Sequence, residues 1–90
     1  MSRELHILGY KERGNNNHWI AHVLEMDLKS EAKEWIDAFN TLKDMIEIEL
    51  EYHSENIEKA FEYKAEDGYF DMYFNAGIQG YKRCIHKIEV

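Results

Sequence analysis

Ninety residues, 44% of them apolar, 32% charged and 13% aromatic, describe a folded chain of one domain's length, not a disordered one. The net charge of −7 argues against binding nucleic acid or an anionic membrane. A single cysteine, Cys84, excludes an internal disulfide, no apolar run reaches the roughly 18 residues of a membrane span, and no leader-like stretch follows Met1, so the expected location is cytoplasmic.

Residues 4–12 alternate loosely, with Leu5, Ile7 and Gly9 on one parity and Leu8 and Tyr10 on the other. Gly14-Asn15-Asn16-Asn17 follows, and Gly and Asn tolerate the positive φ that hairpin turns need. Residues 18–26 are rich in β-branched, aromatic and aliphatic types, so the two runs predict a β-hairpin. A third short strand is expected at about 27–32, where Leu28, Ser30 and Ala32 share a parity. A helix is expected over about 34–53, because Trp35, Ala38, Phe39, Leu42, Met45, Ile46 and Leu50 recur at spacings of three and four. Within it, Ile46 to Tyr52 also alternates at period two. The twenty-residue length of the stripe decides for helix, since strands rarely exceed about ten residues.

His53 to Asp67 reads as a polar connection with possible helical turns. Tyr69, Phe70, Tyr73 and Phe74 lie at helical spacing over 66–76, and Asn75-Ala76-Gly77 reads as the helix stop. The tail 80–90 fits either a closing strand or a short helix. Nothing along the chain marks a second domain, so residues 1–90 are expected to form one unit. The charge is unevenly placed along it: residues 1–33 sum to zero, 34–67 to −8 and 68–90 to +1. A central acidic segment either faces solvent or attracts a basic partner.

The candidate chemistry is thin. His18 and His22 share a parity but stand about 13 Å apart at the strand rise, too far to hold one ion together. Glu25 and Asp27 share a parity on an expected strand, with Glu31 beyond, and a pair of acids could hold Mg²⁺ or do acid/base work. Acids scattered through an acidic chain are the commoner explanation. Ser2, Ser30 and Ser54 lie in no nucleophile turn. Cys84 follows Lys82 and Arg83, which could lower a thiol pKa, but a buried inert cysteine is the plainer expectation. No phosphate loop or dinucleotide fingerprint is present. The chain is therefore expected to use no metal and no cofactor, and not to be an enzyme.

The run Trp19-Ile20-Ala21-His22-Val23-Leu24-Glu25-Met26-Asp27, followed by a helix opening Glu34-Trp35-Ile36-Asp37-Ala38-Phe39, resembles the HicB-like antitoxin domain family. Trp19, Ala21, Leu24, Glu25 and Asp27 match the family's first motif. Asp37-Ala38-Phe39 stands where Glu-Ala-aliphatic is usual, and Leu42 continues the helix. Ala32 replaces a turn glycine and Glu34 replaces a capping Thr. The match covers about residues 5–52.

The resemblance implies a degenerate ribonuclease-H-like α+β fold, a small antiparallel sheet of three to four strands with helices packed on one face. It implies a non-catalytic protein that covers a small basic ribonuclease toxin, HicA, and that assembles as a dimer or tetramer. The aromatic density at 69–74 agrees with a homo-oligomer. Fuller family members add a DNA-binding module. No basic second module is read here, so operator binding is not expected. Glu47, Glu51, Glu55 and Glu58 are the expected partner surface, since an RNA-cleaving toxin is basic and these acids lie in the −8 segment. The rival expectations are an orphan oligomeric module with a structural or small-ligand role, and a metal-dependent hydrolase using Glu25, Asp27 and a histidine.

Overall fold

The first strand is apolar on both parities, and that decides the architecture. A computed structural model describes residues 2–11, 17–75 and 80–89. In chain order it contains β1 (Ser2–Lys11), β2 (Trp19–Val23), β3 (Leu28–Ala32), α1 (Trp35–Tyr52), a 3₁₀ turn (Ile57–Phe61), α2 (Asp67–Phe74) and β4 (Lys82–Glu89). The strands form one antiparallel sheet in the order β3-β2-β1-β4. The fold is thus α+β with a four-stranded antiparallel sheet. Asn17, at φ 60°, leads into β2. The expected Gly14-Asn15-Asn16 loop lies outside the described residues, as do Ala76 and Gly77.

The two parities of β1 feed two cores. Leu5 and Ile7 join Ala21 and Val23 beneath Ala38, Leu42 and Ile46 of α1. Leu8 and Tyr10 join Ile20 and Leu24 on the opposite face, under Tyr69, Phe70, Met72 and Tyr73 of α2. The expected placement of all helices on one face therefore needs correction: α1 covers one face and α2 the other. The reason is physical. A central strand with apolar side chains on both sides leaves one set in water unless something covers each face. Burying Leu42 and Ile46 contributes about 1.5–3 kcal/mol each, which outweighs the local period-two pattern of 46–52 and makes that stretch helix.

α1 starts without the usual help. Glu34 is its N-cap in extended conformation and makes no side-chain cap bond, as expected once Thr is replaced. An aromatic row fixes the entry instead. Trp35 packs edge-on to Trp19 at 5.8 Å and stacks on Phe39 at 5.6 Å. Lys11 and Lys82 lie over the Trp19 ring at 5.0 and 5.2 Å, a cation–π arrangement. Ser30 of β3 ties in the same end, its hydroxyl donating to the Ala38 carbonyl at 2.5 Å.

The tail resolves as a strand. β4 pairs with β1 along Ser2↔Glu89 to Gly9↔Lys82, because β1 has a free side that only another strand can satisfy. No helix among the described residues is long and apolar enough to cross a membrane.

Gly9 permits the approach of α1 to β1. A Cβ there would stand 2.7 Å from Cη2 of Trp35 and 2.9 Å from the Lys82 Cβ. Gly9→Ala is expected to destabilise the fold by about 1–3 kcal/mol through overpacking. Urea unfolding followed by tryptophan fluorescence measures it; an unchanged midpoint would show that Trp35 shifts without cost.

Candidate functional site

The polar groups of the second core converge on one turn. Residues 24–27 connect β2 to β3, and Asp27 closes the turn at φ 52°, a left-handed position that Asp tolerates better than most residues. Glu25 and Asp27, expected to share a strand face, instead sit in this turn, and each reaches a different histidine. Glu25 spans His6 of β1: Oε1 accepts the His6 backbone N–H at 2.8 Å, and Oε2 stands 2.6 Å from Nδ1. Asp27 Oδ1 stands 2.7 Å from Nε2 of His22. His22 Nδ1 lies 3.3 Å from the Tyr10 hydroxyl.

The protons follow from the donor inventory. A carboxylate only accepts, so His22 carries its proton on Nε2 and takes the Tyr10 O–H at Nδ1. By the same logic His6 donates from Nδ1 to Glu25. His22 is fully buried, and the Tyr69 ring stands edge-on to it at 4.7 Å. Burial pushes its pKa down, with the Lys29 charge assisting and the hydrogen bond to Asp27 opposing. The His6 ring lies against Tyr73 and Phe74 at 5.0 and 5.3 Å.

A Tyr–His–Asp chain invites a catalytic interpretation, and its geometry argues against one. His22 and the Tyr10 side chain bonded to it are both buried, so the hydroxyl end of the chain is not placed to meet a substrate. The chain instead satisfies a buried imidazole that would otherwise be costly. His6 keeps a partly exposed ring, and among the described residues no hydroxyl or thiol is bonded to it. Among the described residues no group of three or more His, Cys, Asp or Glu can hold a metal ion. His18 meets Glu31 at 3.0 Å, away from His22. The Cys84 thiol is pushed up by burial, with Lys82 opposing, so it is a poor nucleophile. Ser30 is buried and bonded.

Sequence reasoning placed Glu25 and Asp27 near a histidine but missed His6 and Tyr10. The readable signal was parity: His6 and Tyr10 share it with Leu8, the residue that starts the second core.

The other candidate lies on α1. Glu47, Glu51, Glu55 and Glu58 are all exposed. Glu47 and Glu51 are one helical turn apart, and Glu55 follows in the turn after α1. Glu51 and Glu55 line a groove with Leu50, Ser54, Ile57 and Glu89. Glu58 differs from the rest, since the Arg3 guanidinium pairs with it while lying over the Phe61 ring at 4.3 Å. Two large apolar side chains stand bare beside these acids: Ile48 is 66% exposed and Tyr52 80%. No family model, characterised protein or solved structure matches this chain.

Because His22 is held neutral in the fold, the unfolded chain takes up its proton first as pH falls. His22 stabilisation is therefore complete above the unfolded value of 6.5 and is lost on acidification below it. The stability difference between wild type and His22→Gln is expected to shrink as pH drops from 7.5 towards about 5, by up to ~1.4 kcal/mol per pH unit. Urea titrations across that range test it. A difference that stays constant with pH would exclude the neutral buried state.

Proposed function

We propose that this chain is a non-catalytic binding protein of the HicB-like antitoxin type, whose partner is a small basic ribonuclease toxin engaged by the exposed face of α1. One observation carries the reading. Ile48 and Tyr52 lie one turn apart on that face, largely exposed, with Glu47 and Glu51 alongside and Glu55 beyond. An aromatic and an aliphatic side chain edged by carboxylates match the anatomy of a protein interface, where a few apolar anchors supply affinity and charges steer the approach. A basic partner suits the charges, and the family resemblance of 5–52 supplies its class.

The His22 end of the polar network on the opposite face supports the non-catalytic part, since it is buried and both its ring nitrogens are bonded within the protein. Glu58 contributes less than Glu47, Glu51 and Glu55, because its charge is already met by Arg3.

The test is to search the adjacent genes for a small basic protein and to measure its binding to this chain by calorimetry. Tyr52→Ala is expected to weaken the complex at least tenfold. Glu47→Lys, Glu51→Lys and Glu55→Lys together are expected to abolish it. Both sets lie on an exposed face, so circular dichroism should show an intact fold. A locus with no toxin-sized basic gene, or affinity unmoved by these changes, would sink the reading.

A further inference from the structure

The two edges of the sheet are not alike. β3 is a five-residue edge whose Ser30 is buried and bonded to α1. β4 is an eight-residue edge, and among the described residues no strand pairs with its outer side. The backbone phase of β4 follows from β1. His6 turns its N–H to Glu25 and its C=O to the Leu24 amide, both on the β2 side. Backbone groups alternate along a strand, so Leu5 and Ile7 turn theirs to β4. Their partners there are His86 and Cys84. Ile85 and Lys87 therefore turn N–H and C=O outward.

An antiparallel strand added to this edge must use Ile85 and Lys87 as hydrogen-bonding residues. For a second copy of β4, two registers satisfy that phase while overlapping seven of its eight residues. One places Ile85 on the two-fold axis, the other His86. The first sets Arg83 opposite Lys87 of the second copy, twice over, and like charges directly opposed are unfavourable. The second sets Arg83 opposite Glu89, Ile85 opposite Lys87 and Cys84 opposite Ile88, each twice. Cys84 and Ile88 are half-buried on the α1 face, so their pairing is apolar. Ile85 stands opposite His6 on the α2 face and is 54% exposed. The alkyl stem of Lys87 from the second copy would cover it.

We propose that a second copy of this chain occupies the β4 edge, antiparallel and with the two-fold axis at His86, joining two four-stranded sheets into one. A two-fold interface requires a patch that complements itself, and β4 does so about His86 in backbone phase, charge and apolar character. The charges within each copy stay where they are. Arg83 keeps its bond to the Asn75 carbonyl, Glu4 remains across from Lys87, and Lys82 lies over Trp19, outside the overlap. The proposal rests on β4 alone. A monomeric chain would leave the reading of the α1 face standing.

Cysteine cross-linking of the full chain reads the register. Ile85→Cys, His86→Cys and Lys87→Cys are each made in a Cys84→Ser background and oxidised mildly. Opposed residues of a non-hydrogen-bonded pair have Cα atoms about 4.5 Å apart, within disulfide reach. Covalent dimer is expected from His86→Cys, at least tenfold in excess over the other two. Sedimentation equilibrium of the wild-type chain should show a concentration-dependent dimer. Glu89→Arg should weaken it about tenfold, through two like-charged pairs. Lys87→Pro should abolish it, because proline removes an outward N–H and leaves the ladder with β1 intact. Circular dichroism and urea midpoints check that the variants fold. If Lys87→Pro does not fold, the cysteine series and Glu89→Arg decide. A wild-type chain that stays monomeric would overturn the proposal, as would cross-linking that peaks at 85 or 87. So would a dimer unmoved at β4 but dissociated by Tyr52→Ala, since the second copy would then sit on α1.

Discussion

The central strand has to be covered twice. β1 carries Leu5 and Ile7 on one side and Leu8 and Tyr10 on the other, all buried, and it pairs with a strand along each edge. Nothing in β1 alone can satisfy this. α1 supplies the first cover. The chain must then cross from one face to the other. It does so between Ala60, which belongs to the first core, and Ala65, which belongs to the second. The crossing is pinned where the Ala65 amide donates to the Leu24 carbonyl at 2.8 Å. α2 follows from there, so the position of the second cover is inherited from the turn at 24–27.

That turn explains why the polar residues of the second core gather where they do. Leu24 is fully buried and its backbone is bonded on two sides, to His6 and to Ala65. Glu25 and Asp27 reach back to one histidine on each of the two central strands. A turn held by two carboxylate–histidine bonds and two backbone bonds is better determined than its length suggests. The arrangement also explains a conflict between look and function. Imidazoles with carboxylate partners are common in active sites, and they also satisfy polar groups within a core. His22 is of the second kind in its geometry, buried with both ring nitrogens bonded within the fold, whereas His6 keeps a partly exposed ring.

Much of the fold was legible in the sequence because its signals were local. The hairpin strands, the third strand and α1 all follow from periodicity, and the apolar stripe from Trp35 to Leu50 overrode the strand-like alternation of 46–52 by its length. What stayed hidden depends on contacts distant in sequence. The tail fitted both a helix stripe and a strand alternation, and the choice was made by the free edge of β1, some seventy-five residues earlier. The two-sided parity of β1 was visible, but reading its consequence required knowing that it sits in the middle of the sheet. His6 and Tyr10 were missed for the same reason. Their partners are set by the register of β1 against β2 and by a turn whose left-handed Asp27 carries no glycine to announce it.

Charge placement has a consequence that net charge conceals. The sum of −7 suggests a molecule that repels every anion, but screening at physiological ionic strength acts over about 8 Å. A ligand therefore feels the local arrangement. On the exposed side of α1, carboxylates dominate and Glu51 and Glu55 share a groove with Glu89. Along β4 the charges are mixed and largely engaged: Lys82 lies over the Trp19 ring, Arg83 donates to the Asn75 carbonyl, Glu4 stands across from Lys87, and Glu89 ends the strand. The negative field is therefore concentrated on the exposed side of α1 and the turn after it, and a charged ligand would feel that side of the molecule first.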